Sequence, residues 1–216
     1  MGLIQEQDRR PRDWAYKVAF DRKDLPSLQQ MIKEINENHD ADIIEDFNSR
    51  CEQKLNSSSS TEKVELENGV EIQSVTKSED LVVNGGLVQC INLILGTNST
   101  RWRYIAVGDL TVAAPTITDT ALADATIVSV DMAADNGGWR EAVGMKLFFG
   151  AICSETRTIA SIREMGVFNG LAGSTMLNRQ VFNNNPPIRI QGYNLLSVIY
   201  RQVFILSSVV QFCPVA

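Results

Sequence analysis

Side chains that could hold a metal ion occur in the second half of the chain, but their spacing does not favour a site. Calcium loops bring carboxylates to one ion through a spacing such as Asp-x-Asp-x-Asp-Gly. Zinc sites use paired cysteines or histidines at short spacing. The chain has one histidine, His39, and four scattered cysteines without a Cys-x-x-Cys pair. Its aspartates in this half lack the calcium spacing: Asp109, Asp119, Asp124, Asp131 and Asp135. We predict no metal and no cofactor.

The sequence also shows no pattern in which a nucleophile and an activating histidine occur together. A serine or cysteine nucleophile is commonly activated by a histidine. His39 lies in a polar N-terminal stretch, where we interpret it as a solvated side chain, and no histidine occurs in residues 81–216. A pair of carboxylates, as in glycosidases, would need no histidine, but no pattern indicates such a pair. We predict that the chain is not an enzyme.

One basic and aromatic cluster, Arg101-Trp102-Arg103-Tyr104, has the composition of a surface that stacks on a sugar or a base. The net charge of −6 argues against a general nucleic-acid binder, which needs a basic face for phosphates. Packing at a sheet edge is the favoured interpretation of this cluster. The alternative function is a carbohydrate-binding or adhesin module. It would present three aromatic side chains to glycans: Trp102, Tyr104 and Trp139.

The N-terminal quarter contains an alternating segment followed by a helical one. Residues 1–24 form a predicted arm, in which large apolar side chains alternate as in a short strand. Residues 25–56 repeat apolar positions every three or four residues, which predicts helix, and the polar stretch 36–42 allows a break into two helices. The apolar side of this helical segment could pack on the chain's own sheet or on a second copy of the chain. The predicted partner contacts are Trp14, Tyr16, Phe20, Leu28, Ile32 and Ile35.

A serine-rich linker at 57–62 and a hairpin at 63–80 are predicted to separate the helical segment from the rest. Asn68-Gly69 marks the hairpin turn, and the hairpin could stand out as a small β-arm. Residues 81–216 are predicted to form an antiparallel, mainly β, sandwich or jelly-roll-like domain because short apolar segments alternate with turn residues. Residues 109–124 are predicted to be a loop. The candidate strands are Leu81–Val83, Leu87–Leu95, Tyr104–Val107, Ala125–Met132, Val143–Phe149, Thr156–Met165, Met176–Phe182, Ile188–Ile190 and Leu195–Phe212.

The segment from residue 159 to residue 179 has a pattern that resembles structural proteins of tailed bacteriophages and archaeal tailed viruses. It reads Glu-x-Gly-Val-Phe-Asn, then a glycine-rich gap, then Gly-Ser-Thr-Met-Leu-x-Arg. The resemblance covers about residues 80–212, with a closing strand at 195–206 that contains Tyr200. The matching residues, taken as a structural motif, are Glu164, Gly166, Phe168, Asn169, Gly173, Met176, Leu177 and Arg179.

The resemblance implies a non-enzymatic virion component at the tail, neck or collar, fibre base or head surface. We predict that it assembles as a homo-oligomer through its N-terminal arm and helix. Such a protein would be made in the host cytoplasm and reside in the virion, with other virion proteins as partners. A trimer or ring is the expected form because identical copies bury identical surfaces.

The longest apolar run, 195–212, is interrupted by Arg201 and Gln202, so no membrane segment is predicted.

Overall fold

The residues that the computed structural model of this chain describes form two five-stranded antiparallel sheets and three α-helices. The structure describes residues 14–57, 62–79, 81–108, 113–123, 128–131, 138–143, 146–153, 163–171, 174–182 and 194–203. The helices are α1 (Leu25–Asn38), α2 (Ala41–Asn56) and α3 (Asn84–Ile94). The strands are β1 (Trp14–Asp21), β2 (Ile72–Glu79), β3 (Leu81–Val82), β4 (Tyr104–Gly108), β5 (Val128–Asp131), β6 (Gly138–Val143), β7 (Lys146–Cys153), β8 (Glu164–Phe168), β9 (Met176–Val181) and β10 (Asn194–Val203). The predicted antiparallel sheets and the N-terminal helical segment are confirmed, but with α3 the described residues form a mixed α and β fold and not the mainly β one that was predicted.

The first sheet joins the two ends of the chain. Its strand order is β2-β1-β10-β7-β6, and β1 pairs with β10 from Trp14 opposite Arg201 to Asp21 opposite Asn194. In place of a separate arm within residues 1–24, the alternating segment therefore forms an internal strand. The predicted arm and the predicted domain at 81–216 share one sheet. An internal strand forms here because its backbone groups find partners on both sides.

Helices α1 and α2 pack on the first sheet of their own chain. The amide of Asn36 on α1 donates to the carbonyl oxygen of Gly138 at 3.0 Å. On α2, the carboxylate of Glu52 accepts from Lys77 Nζ at 2.6 Å and from the hydroxyl of Tyr16. These bonds tie α1 to β6 and α2 to β1 and β2, so the helical segment packs in cis.

This packing corrects the predicted partner contacts. Five of the six residues are at most 1% exposed and belong to one core with Phe47, Cys51 and Trp139: Tyr16, Phe20, Leu28, Ile32 and Ile35. The side chain of the sixth, Trp14, lies outside the described part of the structure. The apolar stripe of the helices is covered by the sheet beneath it, which leaves those five side chains no exposed surface for a partner.

The helical segment breaks where its polar stretch allowed it. His39 ends α1 in the left-handed region at φ 52°, and Asp40 caps α2 by accepting from the backbone N–H groups of Asp42 and Ile43 at 3.0 and 3.3 Å. The two-helix alternative is confirmed. An N-cap carboxylate satisfies N–H groups that have no partner inside the helix.

Replacing Asp40 by alanine is expected to lower the free energy of unfolding by about 1 kcal/mol, because two N–H groups lose their acceptor. Urea unfolding followed by circular dichroism measures it. Asp40→Asn should keep most of the stability because its amide oxygen accepts the same bonds. Glu45→Ala, at an exposed position on α2, is the control. An alanine variant as stable as the wild type would show that the cap contributes nothing.

The Asn68-Gly69 turn forms as predicted, but the hairpin does not stand out. Gly69 adopts φ +79°, and the N–H of Leu66 donates to the carbonyl oxygen of Val70 at 2.9 Å. Val64, Leu66 and Val70 are buried in the same core as α1 and α2. The apolar side of the hairpin is therefore part of the first core. Residues 58–61 of the predicted linker lie outside the described residues.

Helix α3 is the clearest difference from the predicted strands. Residues 87–95 were predicted to be a strand, but 84–94 are helical. Gln89 and Asn92 interrupt the apolar run, and its apolar positions follow the helical spacing more closely than the alternation of a strand. The contact of Gly86 with the backbone of Leu177 on β9 favours the helix: an ideal Cβ there would lie 2.2 Å from the carbonyl oxygen.

The other predicted strands overlap the observed strands to different degrees. Those at 81–83, 104–107 and 176–182 correspond to β3, β4 and β9 within a residue at each end, and those at 125–132 and 195–212 contain β5 and most of β10. The segment 143–149 spans the end of β6 and the first half of β7, and 156–165 reaches only the start of β8. The segment 188–190 lies outside the described residues. Residues 113–123 form a loop, as predicted. No helix in the described ranges is long and apolar enough to cross a membrane.

Candidate functional site

The motif residues Glu164 and Arg179 form a buried ion pair in the second sheet, whose order is β3-β9-β8-β4-β5. Glu164 on β8 is fully buried, and Arg179 on β9 is 7% exposed. One carboxylate oxygen of Glu164 accepts from Nε and Nη2 of Arg179, at 3.0 and 2.8 Å. The pair can form because β8 and β9 are neighbours, with Gly166 opposite Arg179.

Asp119, which is partly buried, extends this pair to a triad. Arg179 Nη1 donates to Asp119 Oδ2 at 2.7 Å, and the backbone N–H and hydroxyl of Thr116 donate to the same carboxylate at 2.9 and 2.6 Å. Burial raises the pKa of Asp119, but the hydrogen bonds from Thr116 and Arg179 outweigh it and lower this pKa below its ordinary value of 3.8. The triad fixes the loop 113–123 on the second sheet.

The stability contributed by Asp119 is expected to disappear in acid. Because its pKa is lowered on folding, its contribution is present above pH 3.8 and is lost as the pH falls through the folded-state pKa. In urea unfolding, the wild type should be more stable than Asp119→Asn at about pH 7, and this difference in free energy should shrink towards about pH 3. A difference that stays constant between these pH values would contradict the assignment.

The remaining motif residues are structural. A Cβ on Gly166 would lie 2.7 Å from the carbonyl oxygen of Asn178. Asn169 closes the loop between β8 and β9 by accepting from the N–H of Thr175 at 2.9 Å. Phe168, Met176 and Leu177 are buried, the first two in a second core with Val83, Ala106 and Leu122. Gly173 lies outside the described residues. The motif therefore holds two strands and a loop together.

The three aromatic residues predicted to bind glycans do not form a common surface. Trp139 is 1% exposed and packs edge-on against Phe47 in the first core, with ring centroids 6.4 Å apart. Trp102 is 6% exposed, and Tyr104 is half-buried against the second core. Glycan stacking needs exposed aromatic faces. The structure thus contradicts this set as a glycan platform. It also corrects the predicted position of the 101–104 cluster, because Tyr104 begins β4, which lies between β8 and β5 and not at a sheet edge.

The charged residues considered for metal binding are paired with arginines where the structure describes them. Asp119 belongs to the triad, and Asp131 accepts two bonds from Arg103 Nε and one from its Nη2, at 2.6–3.0 Å. The positions Asp109, Asp124 and Asp135 lie outside the described residues. Within the described ranges, no group of three or more potential ligands occurs.

The other reactive residues also have structural surroundings. His39 Nδ1 lies 2.8 Å from Glu141 Oε1 at the surface. Burial, with a smaller contribution from Glu52, raises the pKa of the Cys51 thiol well above 9.0. Burial also raises the pKa of Cys90, against a hydrogen bond with Trp102 that lowers it. A raised pKa disfavours the thiolate and so makes a poor nucleophile. A groove between α1, α2 and the hairpin turn has a volume of about 100 Å³, smaller than ligand pockets usually are.

The surface that stands out is one side of α3. Five large apolar side chains recur there at helical spacing, and we call them the α3 stripe: Leu87 (36% exposed), Val88 (56%), Ile91 (54%), Ile94 (75%) and Leu95 (68%). The exposed apolar area is on the order of 500 Å², within the range of the largest patches on typical monomers, which are often functional. Sequence reasoning missed this surface because the run was interpreted as a strand, although positions i, i+1, i+4, i+7 and i+8 are the helical signal.

The opposite side of α3 is fixed to the second sheet. Gly86 lies directly on the backbone of Leu177, and the N–H of Asn84 donates to the carbonyl oxygen of Ile117 at 2.8 Å. The buried Gln89 donates to the carbonyl oxygen of Thr100 at 2.8 Å. These contacts set the rotation of the helix and direct the α3 stripe outwards.

No protein-family model, no curated protein and no solved structure matches this chain.

Proposed function

We propose that this chain is a non-enzymatic structural protein of a tailed virus particle, which acts by assembling with copies of itself and with other virion proteins. The observation that carries the proposal is the α3 stripe, a fixed helix with one apolar side in solvent. Apolar surface of this size favours burial against another molecule. The resemblance of the 159–179 segment supplies the virion context.

The triad of Glu164, Arg179 and Asp119 supports a structural role for the segment that carries the resemblance. Glu164, Arg179 and Asp119 bind one another, so their charge is used to join β8, β9 and the loop 113–123. A scaffold held by an internal ion network suits a component that must keep its shape in an assembly. We place the protein at the tail, neck or collar, fibre base or head surface, in a ring or trimer made in the host cytoplasm.

We also propose that the two sheets pack as a β-sandwich of the jelly-roll kind. Every residue of β8 is buried, so both faces of that strand are covered. The hydroxyl of Ser78 on β2 donates to the carbonyl oxygen of Val181 on β9 at 3.1 Å, which ties an edge of the first sheet to the second. Two sheets that face each other bury their inner faces in this way.

Mass spectrometry of purified virus particles tests the proposed function. Particles from a culture that carries this sequence would be banded by density and digested, and peptides of the chain should occur in amounts comparable with other virion proteins. Antibody labelling of intact particles would then give its position. Finding the protein only in the particle-free fraction would overturn the proposal. Binding on a glycan array would instead favour the adhesin alternative, which no contact in the described residues favours.

A further inference from the structure

We propose that the α3 stripe is the surface through which two copies of this chain pair, helix against helix. The inference rests on the proposed function, since it names the contact by which the structural protein assembles. From Leu87 to Leu95 the stripe extends over about 12 Å of the helix axis. That length gives more than two turns of interlocking side chains.

The charge pattern around α3 selects the partner. From Leu81 to Thr100 the sequence contains no charged residue, although 21% of the chain is charged. A partner that buried a charge against this surface would lose its hydration and gain no opposite charge in return. The matching surface must therefore be apolar and neutral, which a second α3 stripe is.

A lipid surface fits this helix less well than a second copy does. Helices that lie on membranes combine an apolar side with lysine and arginine on the polar side, which attract anionic headgroups. The polar residues of α3 are neutral, and two of them, Asn84 and Gln89, take part in hydrogen bonds that hold the helix on its own chain. The side of α3 opposite the stripe is thus occupied by protein.

The size of the stripe predicts how strong the contact is. Two stripes would bury on the order of 1,000 Å² in total, which is at the lower limit of specific interfaces. A two-fold axis brings the same surface of both copies together, so that residue i of one copy contacts residue j of the other and j contacts i, with Ile91 near the centre of the stripe. The expected pair is therefore reversible, with a dissociation constant in the micromolar range of about 1–100 µM. Further contacts in a particle would strengthen it.

The test is the solution mass of the full chain, by sedimentation velocity and light scattering from about 1 to about 100 µM, for wild type, Ile91→Lys and Ser49→Lys. Ile91 is 54% exposed, so the fold should persist, and circular dichroism checks it. Ile94→Lys, at a more exposed position, replaces it if folding is lost. Ser49→Lys adds the same charge at an exposed position on α2.

We expect the wild type and Ser49→Lys to shift from monomer to dimer over this range, and Ile91→Lys to raise the dissociation constant at least about tenfold. A wild type that stays monomeric, or a dimer unaffected by Ile91→Lys, would overturn the inference. Binding of monomeric wild type to phosphatidylcholine vesicles, lost in Ile91→Lys, would overturn it in favour of a lipid surface. The presence of the chain in particles is measured separately, so failure of the pairing is distinguishable from failure of the proposed function.

Discussion

Replacing Arg179 by alanine is expected to lower the free energy of unfolding by about 3–5 kcal/mol. Arg179 compensates the charge of Glu164, which is fully buried, and holds Asp119 at the same time. Without the guanidinium, the Glu164 carboxylate keeps its burial but loses two charge-assisted hydrogen bonds. Urea unfolding at neutral pH, followed by tryptophan fluorescence, measures the loss.

Arg103→Ala is the matched control. Arg103 makes the same kind of two-nitrogen contact with a carboxylate, that of Asp131, but its side chain is about half exposed. Solvent screens such a pair and hydrates each partner after the other is removed. Its loss should therefore lower the stability much less than the loss of Arg179. Equal effects of the two substitutions would contradict the buried Glu164–Arg179 pair as a principal stabilising contact of the second sheet.

Replacing Gly86 by alanine is expected to lower the free energy of unfolding by about 3 kcal/mol, the upper end of the usual cost of overpacking. An ideal Cβ at this position would lie 2.2 Å from the carbonyl oxygen of Leu177 and 2.7 Å from its Cα, so the helix must move off the sheet. The obstructing atoms belong to the backbone of β9, which cannot rotate aside. Thermal and urea unfolding measure the change.

Replacing the neighbouring Gly85 by alanine should change the free energy of unfolding in the opposite direction. A Cβ on Gly85 would meet only Thr175 Cγ2 at 3.7 Å, an ordinary contact. Alanine also restricts the unfolded chain, so Gly85→Ala is expected to raise the stability by about 0.5–1 kcal/mol. Two alanine variants that shift the stability in the same direction would show that α3 does not rest on β9 as described.

Local periodicity predicted the parts of the fold whose partners are near in sequence. The three- and four-residue repeat predicted α1 and α2, and Asn68-Gly69 predicted a turn, because each signal depends on neighbouring residues. The pairing of β1 with β10 joins residues about 180 positions apart. The alternation of Tyr16 and Phe20 showed a strand or an extended arm, but nothing in that segment indicates which end of the chain completes its sheet.

The candidate site was predictable only in part, because its residues come from segments that are distant in the sequence. The resemblance singled out Glu164 and Arg179, but not that they bind each other or that Asp119 joins them from a distant loop. Trp102 and Trp139 are of a residue type that is common in glycan-binding surfaces, and only the tertiary structure shows that both side chains are buried. The α3 stripe had a readable spacing, but separating it from a strand required the contact between Gly86 and Leu177.

Hydrogen–deuterium exchange of the full chain at low and high protein concentration tests the central claim most directly, namely that assembly uses α3 and not the N-terminal helices. Burial in an interface slows the local opening that exchange requires. The account predicts slower exchange in residues 84–95 at high concentration, with α1 and α2 unchanged. Protection of α1 and α2 instead, or no change at α3 when the solution mass shows an oligomer, would contradict it.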